Sequence, residues 1–311
     1  MMRIRIGTRG SQLALWQART VSELLTSEDL ICEIVTIKTS GDRLQEAPLT
    51  EAGGKRLFVK EIEDALLDGR ADIAVHSAKD MPADSPEDLE IAAVLAREEP
   101  WDALVLPNGR ALPDGGSIQE ALQGPGLTIG TSSIRRVAQL RRLLPEAAFA
   151  PIRGNLDTRL RKLDDGQYGA LVLAAAGLKR LGAGARISAR LPLEACVPAP
   201  GQGVIAVQIR ARDEAVRARV LGINDIETAA ALHAERALVA GLGGGCQMPI
   251  GALAQTLTAD TLDLRASVFA PDGSRVLRAS ALGTLLDPES LGRRVAAELL
   301  AQGAADILAV I

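Results

Sequence analysis

The sequence predicts an α/β protein with mostly parallel sheets in its first two thirds and a small α+β domain in its last third. The length of 311 residues suits two or three domains. Strand-like apolar runs alternate with helical patterns through the first two thirds. The remainder has several strand patterns, a hairpin signal at Asp272-Gly273 and one terminal helix.

The elements follow in order along the first half of the chain. A helix is predicted after Ser11, a suitable N-cap, and another over residues 57–67. Between them, residues 41–55 are polar and read as a long loop. Apolar runs bounded by turn residues predict strands at residues 3–7, 31–38, 71–75, 89–95 and 103–106. Residues 107–126 are rich in glycine and proline and mark a candidate domain boundary.

The second half shows the same alternation and then a change of pattern. Helices are predicted over residues 134–144, from Asn155 or Asp157 to Leu163, and over 227–239 and 289–302. Residues 198–203 are turn-rich and read as a crossover between units. Strands are predicted at residues 127–130, 148–152, 170–174, 204–209, 251–254, 262–269 and 276–281.

Composition excludes several classes of protein. The net charge is −4 and aromatic residues are 2% of the chain, so a nucleic-acid-binding surface with stacking side chains is not expected. The three cysteines are far apart and only two histidines occur, so neither a metal site nor a disulfide framework is predicted. The chain begins on a strand pattern and has no long apolar run, and we expect a cytoplasmic protein without membrane contact.

Cations follow the predicted strands at the ends where ligands of α/β proteins bind. Arg135 and Arg136 fall in the first turn of a helix, where the helix dipole disfavours cations, so an anion is expected beside them with Ser132 and Ser133. No phosphate-loop motif is present, and several separated cations suit a ligand with several carboxylates. The strand-end cations are Arg9, Lys79, Arg135, Arg136, Arg153, Arg159, Lys179 and Arg180.

Two further residues stand out from their surroundings. Asp80 is an acid among these bases, and nearby cations would keep it ionised so that it can bind N–H donors and stabilise positive charge. Cys246 follows Gly243-Gly244-Gly245, and three glycines leave no side chains to bury its thiol. The thiol is therefore predicted to be a nucleophile or an attachment point, whereas Cys32 and Cys196 are interpreted as structural.

The motifs that carry these residues resemble the porphobilinogen deaminase (hydroxymethylbilane synthase) family. They occur in the family's order and span nearly the whole chain. The matching segments are Ile6-Gly7-Thr8-Arg9-Gly10-Ser11, Ala14-Leu15-Trp16-Gln17-Ala18, Gly53-Gly54-Lys55, Leu57-Phe58-Val59-Lys60, His76-Ser77-Ala78-Lys79-Asp80, Gly130-Thr131-Ser132-Ser133-Ile134-Arg135-Arg136, Arg153-Gly154-Asn155, Ala176-Gly177-Leu178-Lys179-Arg180-Leu181 and Gly244-Gly245-Cys246-Gln247.

The resemblance implies a fold with two lobes of the type II periplasmic-binding-protein kind and a small C-terminal α+β domain. The active site is then expected between the lobes, which two crossovers connect. Domain 1 is expected to comprise residues 1–103 and 204–222, domain 2 residues 104–203, and domain 3 residues 223–311, with the cysteine in domain 3. A monomer is expected from the family's habit.

The resemblance also implies the reaction and the roles of the residues. Four porphobilinogen molecules would join head to tail with loss of ammonia, on a dipyrromethane cofactor bound through a thioether to Cys246, before water releases the product. Asp80 would be catalytic, stabilising the cation formed as ammonia leaves. Cofactor contacts are expected from Cys246, Asp80, Lys79, Ser77, Ser133, Arg135 and Arg136, and substrate contacts from Arg9, Ser11, Arg153, Arg159 and Arg180.

The sequence also predicts a lid over the site, and it leaves three alternative functions to consider. Residues 41–60 are expected to close over the site with contacts from Lys55 and Phe58, although Glu51 and Arg56 depart from the family pattern. The alternatives are a non-catalytic anion-binding protein, an effector module of a transcription regulator and a cysteine hydrolase. An anion-binding protein would not explain the glycine-flanked cysteine. An effector module needs a helix-turn-helix domain, and a cysteine hydrolase needs a free thiol.

Overall fold

The structure is a computed structural model, and it describes residues 2–40, 59–112, 117–122, 127–244 and 248–310. The strands within these ranges are β1 (Met2–Thr8), β2 (Leu30–Thr36), β3 (Ile73–Ser77), β4 (Leu89–Val94), β5 (Asp102–Val105), β6 (Thr128–Gly130), β7 (Ala148–Ala150), β8 (Ala170–Ala174), β9 (Ala189–Arg190), β10 (Ile205–Arg210), β11 (Ile250–Thr258), β12 (Thr261–Phe269) and β13 (Val276–Thr284).

The α-helices of the same ranges connect and cover these strands. They are α1 (Gln12–Leu25), α2 (Lys60–Leu67), α3 (Ile118–Ala121), α4 (Ile134–Leu143), α5 (Leu156–Asp164), α6 (Ala175–Arg180), α7 (Glu214–Val220), α8 (Ile226–Gly241), α9 (Pro288–Ala301) and α10 (Ala304–Leu308).

Two five-stranded sheets have the same pattern of strand directions. The first has the order β2-β1-β3-β10-β4 and the second β7-β6-β8-β5-β9. In each, three neighbouring strands are parallel and the fourth, β10 or β5, runs antiparallel to them. The chain thus crosses from the first sheet to the second after β4 and returns through β10.

The last part of the chain forms a separate antiparallel sheet. Its order is β11-β12-β13, and α8 and α9 cover one face, where Leu262, Leu264 and Val268 lie in the core. The predicted fold class, α/β with two lobes and a small C-terminal α+β domain, is confirmed by these three sheets.

The observed elements differ from the predicted ones in a few places. The strand predicted over residues 148–152 ends at Ala150, before Pro151, which has no N–H for a ladder. The helix α7 was not predicted, although Asp213 caps it by accepting a bond from the Val216 amide. The proposed division into domains stays a prediction, and β5 already begins at Asp102 within the second sheet.

The two crossovers and the C-terminal domain meet at one buried carboxylate, that of Glu235 on α8. Its Oε1 lies 2.6 Å from Arg97 Nη1 of the first crossover, and its Oε2 accepts a bond from the Gly201 amide of the second crossover at 2.6 Å. Oε1 also accepts a bond from the Ala254 amide of β11 at 2.8 Å. One side chain therefore holds three parts of the chain together.

Glu235→Gln should lower the free energy of unfolding by about 3–5 kcal/mol, because the Arg97 guanidinium, 11% exposed, would stay buried without its carboxylate. Urea unfolding at neutral pH, followed by circular dichroism, measures this loss. The matched control is Glu227→Gln, an exposed residue in the first turn of the same helix, which should lose less than about 1 kcal/mol. Equal losses in the two variants would contradict the assigned role of Glu235.

Candidate active site

A cavity of about 60 Å³ lies where β1 and β3 end. The carboxyl ends of these parallel strands meet at one edge of the first sheet, as the strand order requires. Its lining includes Arg9 after β1, Ser11 at the start of α1, and Ser77 and Asp80 at the end of β3. The structure thus brings together four residues that the sequence analysis had placed in one site.

Asp80 lies on a single turn of 3₁₀ helix, Ala78–Asp80, that directly follows β3. The second crossover packs against the back of this turn. Gly201 has a φ of +71°, and a Cβ there would lie 3.0 Å from the backbone of Ala78 and Lys79, so only glycine fits. The Ala78 amide donates to Val204 O at 3.0 Å and fixes the turn.

The Asp80 carboxylate is half-buried and makes no hydrogen bond or ion pair with any residue in the described ranges. Two cations interact electrostatically with the Asp80 carboxylate: Lys79, its neighbour in the chain, and Arg159 on α5. An acid placed among cations without a direct partner suits a ligand that brings N–H groups to the acid and carboxylates to the bases.

Lys79 is half-buried next to four further charged groups. Burial lowers the pKa of its ammonium to about 8; Arg135 and Arg136 also lower it, whereas Asp80 and Asp102 raise it. A lysine in this condition loses its charge as the pH rises through about 8. It can therefore bind an anion at neutral pH and exchange a proton within the physiological range.

Arg135 and Arg136 form ion pairs with the same buried acid, Asp102. Arg135 Nη1 lies 2.7 Å from Asp102 Oδ2, and Arg136 Nη2 lies 2.7 Å from Asp102 Oδ1. Although burial acts to raise it, the two guanidinium charges hold the pKa of Asp102 well below its usual range. Gln202 Nε2 donates to Oδ1 at 3.0 Å, and the Cys196 thiol donates to Oδ2 at 3.2 Å.

This pairing changes the interpretation of the two arginines. An anionic ligand was expected beside these guanidiniums at the start of α4, but both bind Asp102, and Arg136 also donates to Val172 O and Arg135 to Val197 O. Two guanidiniums and one carboxylate still leave one positive charge, which acts on Lys79 and, through Arg136, on Arg159. Arg135, Arg136 and Asp102 therefore form a positively charged wall of the site, in which both guanidiniums are held in place by hydrogen bonds.

The other predicted cations differ in whether they lie near this wall. Arg159 is half-buried, its Nε donates to Gly154 O at 2.9 Å, and burial lowers its pKa while the charge of Arg153 lowers it further. Arg180 points elsewhere, since its Nη2 donates to Gly203 O at 2.7 Å and its guanidinium lies 5.8 Å from the centre of the Trp16 ring. The structure thus groups Arg153 and Arg159 with the Asp80 site and places Arg180 against α1 and the second crossover.

The predicted site serines differ in the hydrogen bonds that their hydroxyls make to the protein. Ser132 Oγ donates to Ile152 O at 2.7 Å and accepts from the Ile152 amide at 3.0 Å, so it joins two loops. Ser11 Oγ accepts from the Ala14 amide as the N-cap of α1. Ser77 exchanges hydrogen bonds with Gln17 (2.8 Å), and the Ser133 side chain makes no capping bond at the start of α4.

A buried polar chain behind the cavity was missed by the sequence analysis. His76 lines the cavity, its Nε2 lies 3.1 Å from Gln208 Oε1, and Gln208 Nε2 donates to Glu63 Oε1 at 3.0 Å. Burial lowers the pKa of His76 to about 4, so the ring is neutral at pH 7. The signal available in the sequence was the placement of polar residues within otherwise apolar strands β3 and β10.

Three predicted site residues lie outside the part of the chain that the structure describes. They are the cysteine at 246 and the lid residues Lys55 and Phe58. Their roles stay predictions. Among the described helices, none is both long and apolar enough to span a bilayer.

Comparison with known proteins identifies the family. Residues 4–218 match the family model "Porphobilinogen deaminase, dipyromethane cofactor binding domain", and residues 229–301 match "Porphobilinogen deaminase, C-terminal domain". The chain belongs to the porphobilinogen deaminase family. Porphobilinogen deaminases of Bordetella parapertussis and Bordetella bronchiseptica are each 47% identical to it over 309 residues, covering 99% of this chain and 96% of theirs.

Some solved structures resemble part of this chain at low sequence identity. The VFT2 domain of BvgS from Bordetella pertussis (double mutant) is 18% identical and has a TM-score of 0.40, covering 71% of this chain and 85% of that one. An ancestral cationic amino acid solute-binding protein is 15% identical with a TM-score of 0.43, covering 70% of this chain and 86% of that one.

The lowered pKa of Lys79 predicts selective chemical reactivity. In competitive acetylation of the Cys246→Ala protein, modification of Lys79 should rise with a midpoint near pH 8, because the neutral amine is the reactive form. Lys179 is the matched control: hydrogen bonds from its ammonium to Glu98 and Glu99 raise its pKa above the ordinary 10.5. Peptide mass spectrometry measures both, and a midpoint near 10.5 at Lys79 would show that its charge is not destabilised.

Proposed function

We propose that this chain joins four porphobilinogen molecules head to tail, with loss of one ammonia from each, on a dipyrromethane primer attached by a thioether to Cys246. Membership of the porphobilinogen deaminase family makes the chain a transferase of tetrapyrrole biosynthesis, with a dipyrromethane cofactor binding domain. The single observation that carries the proposed site is the Asp80 carboxylate, which faces a cavity among cations and lacks a direct partner within the described residues.

The residues present fit the proposed cofactor. A dipyrromethane offers pyrrole N–H groups and several carboxylates, and the site offers one acid surrounded by bases. When attached, it supplies the pyrrole end to which the first substrate unit is joined. We propose that Asp80 accepts the N–H bonds and that Lys79, Ser77, Ser133 and the positive wall of Arg135 and Arg136 receive the carboxylates.

The substrate-binding residues are proposed from the same electrostatics. Arg9 and Ser11 line the cavity beside Asp80, and Arg153 and Arg159 carry positive charge on the facing lobe. Their guanidiniums suit the acetate and propionate groups of incoming substrate. Arg180 is proposed as a contact for the growing chain, although its guanidinium bonds to Gly203 O in this structure.

Asp80 is the proposed catalytic residue. When the bond from carbon to the amino group breaks, ammonia leaves and positive charge develops on the pyrrole. A carboxylate fixed by the turn Ala78–Asp80 stabilises that charge without having to reorganise. Lys79, with its pKa near 8, is placed to hold or release a proton next to it.

Several finer expectations remain predictions. We propose closure of residues 41–60 over the site, with Lys55 and Phe58 as contacts. A cytoplasmic location and a monomeric state are likewise proposed, the first from the cysteine usage of the sequence and the second from the resemblance to the family.

Cys246→Ala should give a folded protein without attached pyrrole and without turnover of porphobilinogen. The intact mass of the denatured wild-type protein should exceed its sequence mass by two linked pyrrole units, and the variant should have its sequence mass. Cys32→Ala is the matched control, because this half-buried thiol on β2 should leave the excess mass and the turnover unchanged. A fully active Cys246→Ala protein would contradict the proposed attachment.

Asp80→Asn should lower kcat about 10²–10³-fold, because an amide cannot stabilise the developing cation. Asp84→Asn, at an exposed neighbouring acid, should leave kcat nearly unchanged. Intact mass measured on the same samples shows whether the cofactor is attached, and so separates loss of chemistry from loss of cofactor. Near-normal turnover by a loaded Asp80→Asn protein would assign the catalytic role to another residue.

A further inference from the structure

A second concave site, a groove of about 330 Å³, lies away from the cavity beside Asp80. One wall is the segment 193–197 that leads into the second crossover, and the other is formed by β12 and β13, with Glu298 of α9 at its edge. It shares no lining residue with the first cavity. Its volume falls at the lower end of the range of about 300–1,000 Å³ found for small-molecule sites.

The groove follows from the way the C-terminal sheet contacts the second crossover. At β11 the contact is direct: a Cβ on Gly251 would lie 2.8 Å from Val197 Cβ, and the Ala252 amide donates to Pro198 O at 2.9 Å. Ser267 is paired with Gly251 on one side and with Arg278 on the other. The groove therefore begins where the direct contact at Gly251 ends.

One serine of β12, Ser267, lines the groove. Ser267 is 1% exposed, and its hydroxyl makes no hydrogen bond to the described part of the chain. The Ser267 hydroxyl is thus placed to bind a polar atom of a molecule in the groove.

The lining also carries separated charges of both signs. Arg278 donates to the Glu194 carbonyl at 3.4 Å but reaches no carboxylate within the described ranges, whereas Arg265 is paired with Asp263 at 2.8 Å. The carboxylates of Glu194 and Glu298 form no ion pair with the residues that the structure describes. Between these charges the lining is apolar, with Leu193, Val197, Ala266 and Ala279.

We propose that this groove is a binding site for a small amphoteric molecule with an ammonium group, a carboxylate and a compact apolar body. Arg278 binds the carboxylate, with the Ser267 hydroxyl beside it on the neighbouring strand. Glu194 and Glu298 bind the ammonium group, and the apolar lining packs against the body. The inference concerns residues outside the active site and does not depend on the proposed function.

The probe for the test is 4-(aminomethyl)phenylacetate, a ring compound with one ammonium and one carboxylate group, titrated into the holoenzyme by calorimetry. Saturable binding is expected, weakened about tenfold or more in Arg278→Gln through loss of a charge-assisted hydrogen bond. Arg293→Gln is the matched control, since Arg293 is an exposed arginine of the same domain whose side chain bonds to Ser290 on its own helix. Turnover of porphobilinogen should be unchanged in both variants.

Further measurements keep the test decisive. Ser267→Ala should also weaken binding, and phenylacetate and benzylamine, which each carry one of the two charges, should bind more weakly than the probe. Absence of saturable binding at millimolar probe, equal binding in Arg278→Gln and wild type, or equal affinity for the singly charged compounds would each overturn the proposal. Failure of the proposed function would instead appear as absent turnover in every protein, including wild type.

Discussion

The buried carboxylate of Asp102, at the start of β5, is the group on which the packing of the second lobe against the second crossover depends. Transfer of a carboxylate from water into a protein interior costs several kcal/mol, and the cost is offset only by well-placed partners. Asp102 has them in Arg135 and Arg136 of α4, Cys196, and Gln202 of the second crossover, which come from three different places along the chain. Because each partner must reach the same two oxygens, the first crossover, α4 and the second crossover have fixed relative positions.

The same constraint shapes the active site. The arginines that hold Asp102 also surround Lys79 with positive charge, and Gln202, which bonds to Asp102, stands next to Gly201, which supports the turn carrying Asp80. The proposed binding of anions and the placement of Asp80, the proposed catalytic acid, therefore rest on one buried network. Arg135 and Arg136 can both stabilise Asp102 and attract anions, since their ion pairs with one acid leave a net positive charge at the site.

The C-terminal domain is joined to the lobes by a second buried acid and by close backbone contact. Glu235 connects α8 to both crossovers, and Gly251 allows β11 to approach Val197. Val197 is also the residue whose carbonyl accepts bonds from Arg135 and Gln139. The segment 193–197 thus has the Asp102 network on one side and the groove of Ser267 and Arg278 on the other.

The sequence by itself determined the fold class and the end of the sheet where the site lies. Alternating apolar runs predict parallel strands, and residues that follow parallel strands must lie at one edge, which is why Arg9, Ser11, Ser77 and Asp80 could be grouped in advance. The antiparallel direction of β5 and β10 was not predictable, because the apolar pattern of a buried strand is the same in either direction. Only the tertiary structure decided that Arg135 and Arg136 bind Asp102, that Arg180 lies over Trp16, and that His76 joins Gln208 and Glu63. Local spacing fixes which strand end a side chain follows, whereas its partner comes from a distant segment and is chosen by packing and by the cost of burying an unpaired charge.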